Sequence, residues 1–183
     1  MQNSLIEFLS SEGNSVDRFE NKLNTVAIYD SEYDFLISFG YRYFVNKEII
    51  DYFKGMAINL HISYLPWNKG ADPNLWSVLE NTTKGVTIHQ LNYGLDTGKI
   101  LCQREIYFDE NETLRTSHDK LQSALVKLFK LNWLNIKYNK IIPTKQNGAG
   151  SYHKSIDKNS YLELLNRGWD TKIIDLEGKA LNV

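Results

Sequence analysis

Three polar side chains of different chemistry stand near the two ends of one stretch of the sequence, residues 59–98. Asn59 and His61 lie at its start, and Asp96 lies near its end, with a glycine two residues away on either side. An amide N–H and a protonated imidazole can stabilise a developing oxyanion, and a carboxylate can accept a proton from an attacking amine. If the fold brings these groups together, they could catalyse nucleophilic attack on a carbonyl carbon.

The surrounding pattern indicates how the three groups could meet. Asn59, His61 and Ser63 alternate with apolar residues, so in an extended strand they share one face. The pattern next predicts a helix over 73–81 and a strand over 85–91, and a strand that returns beside the first would bring Asp96 back towards His61. Each residue also has an ordinary structural alternative: a strand-end amide, a structural histidine and a turn aspartate between glycines.

The rest of the chain alternates between predicted strands and helices. A nearly continuous apolar run over 33–40, a helix over 46–52 capped by Asn46 and a buried strand over 56–60 predict a parallel β-α-β crossover. In such a sheet a ligand site lies beyond the carboxyl ends of the strands. Further predicted strands cover 100–107 and, more weakly, 16–23 and 25–30. The predicted helices cover 3–12, 161–167 and 111–138, the last being one helix or two that meet near His118.

Composition sets broad limits on the class of protein. The chain has 183 residues, of which 42% are hydrophobic and 23% charged, as is typical of a globular domain. A net charge of −1 argues against a large nucleic-acid surface, and the single cysteine, Cys102, excludes a disulfide within the chain. Because we find neither a signal peptide nor a long apolar run, we expect a soluble, cytoplasmic protein without membrane or nucleic-acid partners.

Several linked motifs resemble one known family. The chain contains N-x-H-x-S-x-L-P from Asn59, then Lys69–Gly70, then G-x-T-I-H ending at His89, and finally G-L-D-T-G around Asp96. This series resembles the folate-dependent formyltransferases, which formylate methionyl-tRNA, glycinamide ribonucleotide or nucleotide-linked amino sugars. The resemblance is clear over residues 36–106 and weaker in the flanks.

The resemblance implies an α/β, Rossmann-like, three-layer domain with a mostly parallel central sheet that lacks the usual first strand. It also implies that residues 1–142 form the catalytic domain and that residues 143–183 form an extension packed on it. The catalytic residues are expected to be Asn59, His61 and Asp96, with the first two stabilising an oxyanion and the third acting as base. The expected formyl donor is 10-formyltetrahydrofolate, and no metal is expected.

Further binding residues follow from the same resemblance. A folate is expected between the segment after the first buried strand and the Asp96 loop, contacting Gly40, Tyr41, Arg42, Tyr43, Phe44, Tyr93, Gly94, Leu95 and Asp96. The expected substrate-binding residues are Ser63, Lys69, Gly70, Tyr152 and His153. Lys69 stands where many relatives carry arginine, so the charge is kept but the bidentate fork is lost. His89 is interpreted as structural, and the glycine-rich stretch 146–154 either closes over a substrate or connects surface elements.

The size of the chain favours a small acceptor. Members that act on tRNA carry a sizeable C-terminal domain, whereas only about 40 residues follow Pro143 here. We therefore expect a nucleotide-linked amino-deoxysugar as substrate, and a homodimer as one possible assembly. The alternatives are a 10-formyltetrahydrofolate hydrolase and a non-catalytic folate- or nucleotide-binding module. A Ser63–His61–Asp96 hydrolase is disfavoured, because a serine two residues from its base on one strand is poorly placed.

Overall fold

The computed structural model describes residues 2–180 as a central sheet covered by helices. The strands of the central sheet are β1 (Leu36–Phe39), β2 (Ala57–His61), β4 (Gly85–Gln90) and β5 (Ile100–Glu105), and a separate parallel pair is formed by β3 (Lys69–Gly70) and β6 (Tyr152–His153). The α-helices are α1 (Gln2–Ser11), α2 (Thr25–Asp30), α3 (Lys47–Tyr52), α4 (Pro73–Leu79) and α5 (Leu114–Lys137). The predicted α/β class is confirmed.

The central sheet has the order β1-β2-β4-β5 and mixes both kinds of strand pairing. β1 and β2 are parallel, whereas β2–β4 and β4–β5 are antiparallel, where the sequence predicts a mostly parallel sheet. The physical reason lies in the segment between β2 and β4, which stays at the end of the sheet where β2 finishes. The chain then enters β4 beside that end, with Thr87 opposite His61, and no full crossover is made. Within residues 2–180, the helices α1 and α2 precede β1.

The two faces of the sheet have opposite character because the side chains alternate along each strand. On one face, Ile58 and Leu60 of β2 and Val86 and Ile88 of β4 pack with α1 and α5 in the main hydrophobic core. The other face carries polar side chains at the intervening positions of β2 and β4, and α2 and α3 cover part of it through a second cluster that includes Ala57. The alternation therefore leaves a polar surface on this face of the sheet, next to the part that α2 and α3 cover.

Most predicted elements are confirmed, and the differences have local causes. Asn46 caps α3 as predicted, since its side chain accepts a hydrogen bond of 2.9 Å from the amide of Ile49. Residues 16–23 form no strand, and 25–30 form α2 rather than a strand, because the Asn24 side chain caps that segment at the amide of Ala27. The region around His118 lies inside one continuous α5, whose N-terminus is closed by a capping box at Thr113.

The C-terminal segment lies against α4 and the start of α5. Tyr161, Ile173 and Leu176 join the α4 residues and Leu114 in a third hydrophobic cluster. This segment is built from 3₁₀ helices rather than the predicted α-helix over 161–167, and they cover Asp157–Leu164, Gly168–Asp170 and Ile173–Asp175. In the described part of the chain, no helix has the length and apolar content that crossing a membrane requires.

The first prediction concerns the main core. Phe129 on α5 is fully buried and packs against the rings of Phe8 and Trp133. We expect Phe129→Ala to lower the free energy of unfolding by about 3–5 kcal/mol, because it removes a large side chain and leaves a cavity. Urea unfolding followed by circular dichroism measures the change.

The matched control is Leu131→Ala on the same helix, since that side chain is 63% exposed. It should change the free energy of unfolding by no more than about 0.5 kcal/mol. Equal effects of the two substitutions would contradict this description of the core.

Candidate active site

Asn59 and His61 lie on the polar face of β2, as the alternation of their neighbours predicts. Ile58 and Leu60 point into the main core, so the side chains of Asn59 and His61 must point to the opposite face. Asn59 is partly buried and His61 is buried. The strand therefore presents an amide and an imidazole side by side.

The loop after β4 brings Asp96 to these two side chains. Asp96 is 8% exposed; its Oδ1 accepts a 3.1 Å hydrogen bond from Asn59 Nδ2, and its Oδ2 lies 3.8 Å from His61 Nδ1. The amide of Gly70 on β3 donates to the same Oδ2 over 2.9 Å. The three residues identified as a possible catalytic set in the sequence are thus brought together at one place.

Backbone constraints hold the Asp96 loop in its shape. Asp96 itself has a φ of 52°, in the left-handed region that aspartate tolerates better than most residues. Gly98 passes so close to the carbonyl of Gln90 that any Cβ there would collide with it. The Gln146 side-chain amide donates to the carbonyls of both Asp96 and Gly98, each over 2.8 Å. The conformation of the loop is therefore fixed both by its own backbone and by the Gln146 side chain.

His61 is held by a contact at Nε2, while its Nδ1 faces Asp96. Its Nε2 lies 3.2 Å from the backbone carbonyl of Asn68, which can only accept a hydrogen bond, so Nε2 carries a proton. In the neutral ring, Nδ1 then bears the lone pair, and it is this nitrogen that faces Asp96. The imidazole can accept or return a proton only at Nδ1 while the Asn68 contact persists.

His89 also belongs to the site, although the sequence favours a structural role for it. It pairs with Asn59 across β2 and β4, and its Nε2 lies 3.2 Å from Asn59 Nδ2 and 3.4 Å from Asp96 Oδ1. Its Nδ1 donates to the carbonyl of Gln90 over 2.8 Å, which fixes the ring. Only the register between the two strands reveals this contact, and a single sequence does not contain that register.

Electrostatics separates the protonation states of the two central groups. Burial raises the pKa of Asp96, but the charge of His61, the nearby ring of His89 and the hydrogen bond from the Gly70 amide outweigh it and hold the pKa well below the usual carboxyl range. Burial also lowers the pKa of His61, and the charge of Asp96 opposes this effect without cancelling it. Asp96 is accordingly ionised, and a neutral His61 is favoured over the imidazolium that the sequence-based mechanism uses.

The expected folate-binding segments flank α3. Tyr41 is anchored by its hydroxyl, which donates to the carbonyl of Asn21, whereas Arg42, Tyr43 and Phe44 are exposed. In the loop after β4, Tyr93, Gly94 and Leu95 are also exposed, and Tyr93 donates to Asp51 of α3 while Lys47 Nζ lies 4.6 Å above its ring. Aromatic side chains from both segments are thus open to solvent.

The expected substrate-binding residues fall into two groups. Lys69 and Gly70 lie on β3 beside Asp96, and burial lowers the pKa of Lys69 while the charge of Asp96 opposes that change. Tyr152 is half exposed and its ring lies over Gly70. In contrast, Ser63 is 1% exposed with its hydroxyl donated to the carbonyl of Trp67. His153 faces inwards and stacks on Trp76 with a centroid separation of 3.7 Å.

Two chemical alternatives can be compared with this geometry. The Ser63 hydroxyl is hydrogen-bonded to Trp67, so the arrangement does not provide a serine nucleophile next to His61. Among residues 2–180, no group of three or more histidine, cysteine, aspartate or glutamate side chains is arranged to hold a metal ion. The site is a pocket of one amide, two imidazoles and one ionised carboxylate.

This geometry agrees with comparisons to known proteins. The profile of the formyl transferase family matches residues 7–131. Methionyl-tRNA formyltransferase from Clostridium botulinum (strain Alaska E43 / Type E3) is 33% identical over 144 residues, which is 78% of this chain and 45% of that protein. The chain therefore belongs to the folate-dependent formyltransferase family, and it spans less than half the length of this curated relative.

Solved structures include one that matches almost the whole chain. The formyltransferase PseJ from Anoxybacillus kamchatkensis, in complex with UDP-4,6-dideoxy-4-formamido-L-AltNAc and tetrahydrofolate, is 50% identical, with a TM-score of 0.95 over 99% of this chain and 96% of PseJ. The sugar 3N-formyltransferase WlaRD, solved in the presence of dTDP and 5-N-formyl-THF, is 29% identical, with a TM-score of 0.62 over 67% of this chain and 45% of WlaRD. The Rossmann-like fold is shared with these enzymes.

The second prediction tests the electrostatics of the site. Asp96→Asn should lower the pKa of His61 further, because burial of the ring remains while the neighbouring negative charge is lost. An NMR titration of the histidine ring signals measures this pKa in both proteins, and His118 on α5 provides an internal reference. A His61 pKa that stays the same or rises in the variant would contradict the proposed coupling.

Proposed function

We propose that this protein is an N-formyltransferase that moves a formyl group from 10-formyltetrahydrofolate to the amino group of a nucleotide-linked amino-deoxysugar. The observation that carries the proposal is the convergence of Asn59, His61 and Asp96 in one buried pocket. The near full-length similarity to PseJ supports a sugar as the acceptor and uridine diphosphate as its nucleotide. Such activated sugars supply surface glycans.

In this reaction Asn59 would stabilise the negative charge that develops on the formyl oxygen. Attack by the amine forms a carbon–nitrogen bond and turns the formyl carbon tetrahedral, which places charge on oxygen. Asn59 Nδ2 is already oriented by Asp96 Oδ1 and His89 Nε2, at 3.1 Å and 3.2 Å. The formyl oxygen would replace one of these acceptors, and no rotation of the amide is needed.

His61 and Asp96 would handle the amine proton as a pair. The low pKa of Asp96 makes its carboxylate a weak base, whereas a neutral His61 offers a lone pair at Nδ1. The proton would therefore pass from the amine to His61 Nδ1, and Asp96 would stabilise the resulting imidazolium. When the bond between the formyl carbon and the folate nitrogen breaks, His61 returns the proton to that nitrogen, which balances the reaction.

The exposed aromatic residues of the two expected folate-binding segments fit a flat, bicyclic formyl donor. Tyr43, Phe44 and Tyr93 offer ring faces, and the Asp96 loop offers backbone hydrogen-bonding groups close to the catalytic carboxylate. The charge on Lys69 lies next to the same carboxylate and would favour an anionic, nucleotide-linked substrate on the β3 side. Donor and acceptor would then approach the pocket from different sides.

The assay that tests the proposal mixes the purified protein with 10-formyltetrahydrofolate, with and without a UDP-linked amino-deoxysugar. Release of tetrahydrofolate that depends on the sugar, with a gain of one formyl group on the sugar by mass spectrometry, is the expected result. Release without the sugar would instead identify a hydrolase. Folate binding without any turnover would identify a non-catalytic binding module.

The third prediction concerns the proposed oxyanion donor. Asn59→Ala should lower kcat by about 10²–10³-fold, which corresponds to about 2.7–4 kcal/mol of transition-state stabilisation. Steady-state kinetics with saturating donor and acceptor measures the loss. Leu131→Ala on the exposed surface of α5 serves as the control and should keep full activity. Full activity of Asn59→Ala would remove this residue from the mechanism.

A further inference from the structure

A second polar network lies behind the pocket, centred on the carboxylate of Glu80. Glu80 follows α4, and its side chain is only 22% exposed. Its Oε2 accepts hydrogen bonds from Asn68 Nδ2 over 3.0 Å and from Ser151 Oγ over 2.8 Å, and its Oε1 lies 2.9 Å from His153 Nε2. One carboxylate is thus contacted by His153 on β6, by Ser151 just before β6 and by Asn68 just before β3.

Asn68 is the member of this network that reaches the catalytic pocket. It is fully buried and has a φ of 55°. Besides the bond to Glu80, its side-chain oxygen accepts from Thr82 Oγ1 over 2.9 Å, and its backbone amide donates to Ser151 Oγ over 2.9 Å. Because the amide and both ends of the side chain are held, the direction of its remaining polar group, the backbone carbonyl, is also fixed.

That carbonyl is the group that accepts from His61 Nε2 over 3.2 Å. Neither this carbonyl nor the Asp96 carboxylate can donate, but only the carbonyl lies within hydrogen-bond distance of a ring nitrogen, at 3.2 Å against 3.8 Å, so it selects the neutral tautomer with the proton on Nε2 and the lone pair on Nδ1. The same tautomer is the one that can take a proton on the side of Asp96. The tautomer of His61 is accordingly set by a residue whose own position depends on Glu80.

The ionised form of Glu80 suits this task better than an amide of the same shape. A carboxylate accepts at both oxygens, whereas a glutamine offers one acceptor oxygen and an NH₂ group that only donates. A glutamine at position 80 would have to turn its NH₂ group either towards the donors of Asn68 and Ser151 or towards His153 Nε2, which makes no hydrogen bond to the described residues. Removing acceptors from buried donors weakens the whole arrangement.

We propose that Glu80 is a positioning residue that, through Asn68, holds His61 in the tautomer with its proton on Nε2. Its relevance to catalysis rests on the proposed formyl transfer, whereas the tautomer itself does not. The stacking of His153 on Trp76 holds that imidazole with its Nε2 2.9 Å from Glu80 Oε1, in a geometry that makes no hydrogen bond. The C-terminal segment, which contributes Ser151 and His153, is in this way coupled to the catalytic histidine.

The direct test is NMR spectroscopy of protein labelled with ¹⁵N-histidine, in which ring correlations identify the protonated nitrogen of each neutral imidazole. The wild-type protein should show His61 with its proton on Nε2. Glu80→Gln should produce a mixture of both tautomers at His61. Thr82→Val, which removes one donor to Asn68 and leaves Glu80 in place, should shift the mixture in the same direction to a smaller extent, and it tests the network if Glu80→Gln does not fold.

The matched control is Glu177→Gln, the same chemical change at a half-exposed carboxylate that pairs with Lys84. It should leave the His61 tautomer and the activity unchanged. Glu80→Gln should lower kcat at least about tenfold with little change in KM for the sugar, as expected when a group that holds a reactive imidazole is disturbed. If Glu80 had only a structural role, its substitution would lower the amount of folded protein and leave the His61 tautomer of the folded fraction unchanged.

Two results would overturn the proposal: a wild-type His61 with its proton on Nδ1, or a His61 tautomer that is the same in wild type, Glu80→Gln and Thr82→Val. Failure of the wild-type protein to transfer a formyl group would overturn the proposed function instead. The spectroscopic comparison decides the role of Glu80 in either case.

Discussion

The burial of one ionised carboxylate, that of Asp96, is the constraint on which the site depends. A buried charge is costly unless hydrogen bonds or opposite charge compensate for it, and here hydrogen bonds from two strands supply that compensation. Asn59 and the Gly70 amide donate to it, and the rings of His61 and His89 lie within 3.8 Å. The contacts with this carboxylate therefore fix β2, β3 and β4 relative to the loop, and the pocket results from this arrangement.

Much of the fold could be predicted because local patterns and packing agree. The apolar alternation in β2 and β4 and the stripe on α5 each reflect one face that must be buried, and caps such as Asn46 mark where helices begin. Residues 16–23 and 25–30 could not be assigned correctly, since apolar alternation there is loose and the decisive interaction is the cap at Asn24. The antiparallel return of β4 depends on where a long connection lies in space, which the strand pattern alone does not encode.

The candidate site likewise contains residues that the sequence reveals and residues that it does not. Asn59, His61 and Asp96 stand in linked motifs, so the sequence indicates that they act together, and the structure places them in contact. The sequence predicts a structural role for His89. It does not reveal the contact between His89 and Asn59, because that contact arises from the register of β2 and β4. The network of Glu80, Asn68 and Ser151 joins Ser151 to two residues that lie more than 70 positions before it in the chain, and no spacing rule connects them. Tertiary contacts decide what a buried polar residue does.

The central claim is that Asn59 and the His61–Asp96 pair act on the two reacting partners within this pocket. A crystal structure with tetrahydrofolate and the formylated UDP-sugar tests it most directly. We expect the formyl oxygen within about 3.1 Å of Asn59 Nδ2 and the substituted nitrogen within about 3.2 Å of His61 Nδ1, directly or through one water. Ligands bound elsewhere, with Asp96 still covered by protein alone, would contradict the account.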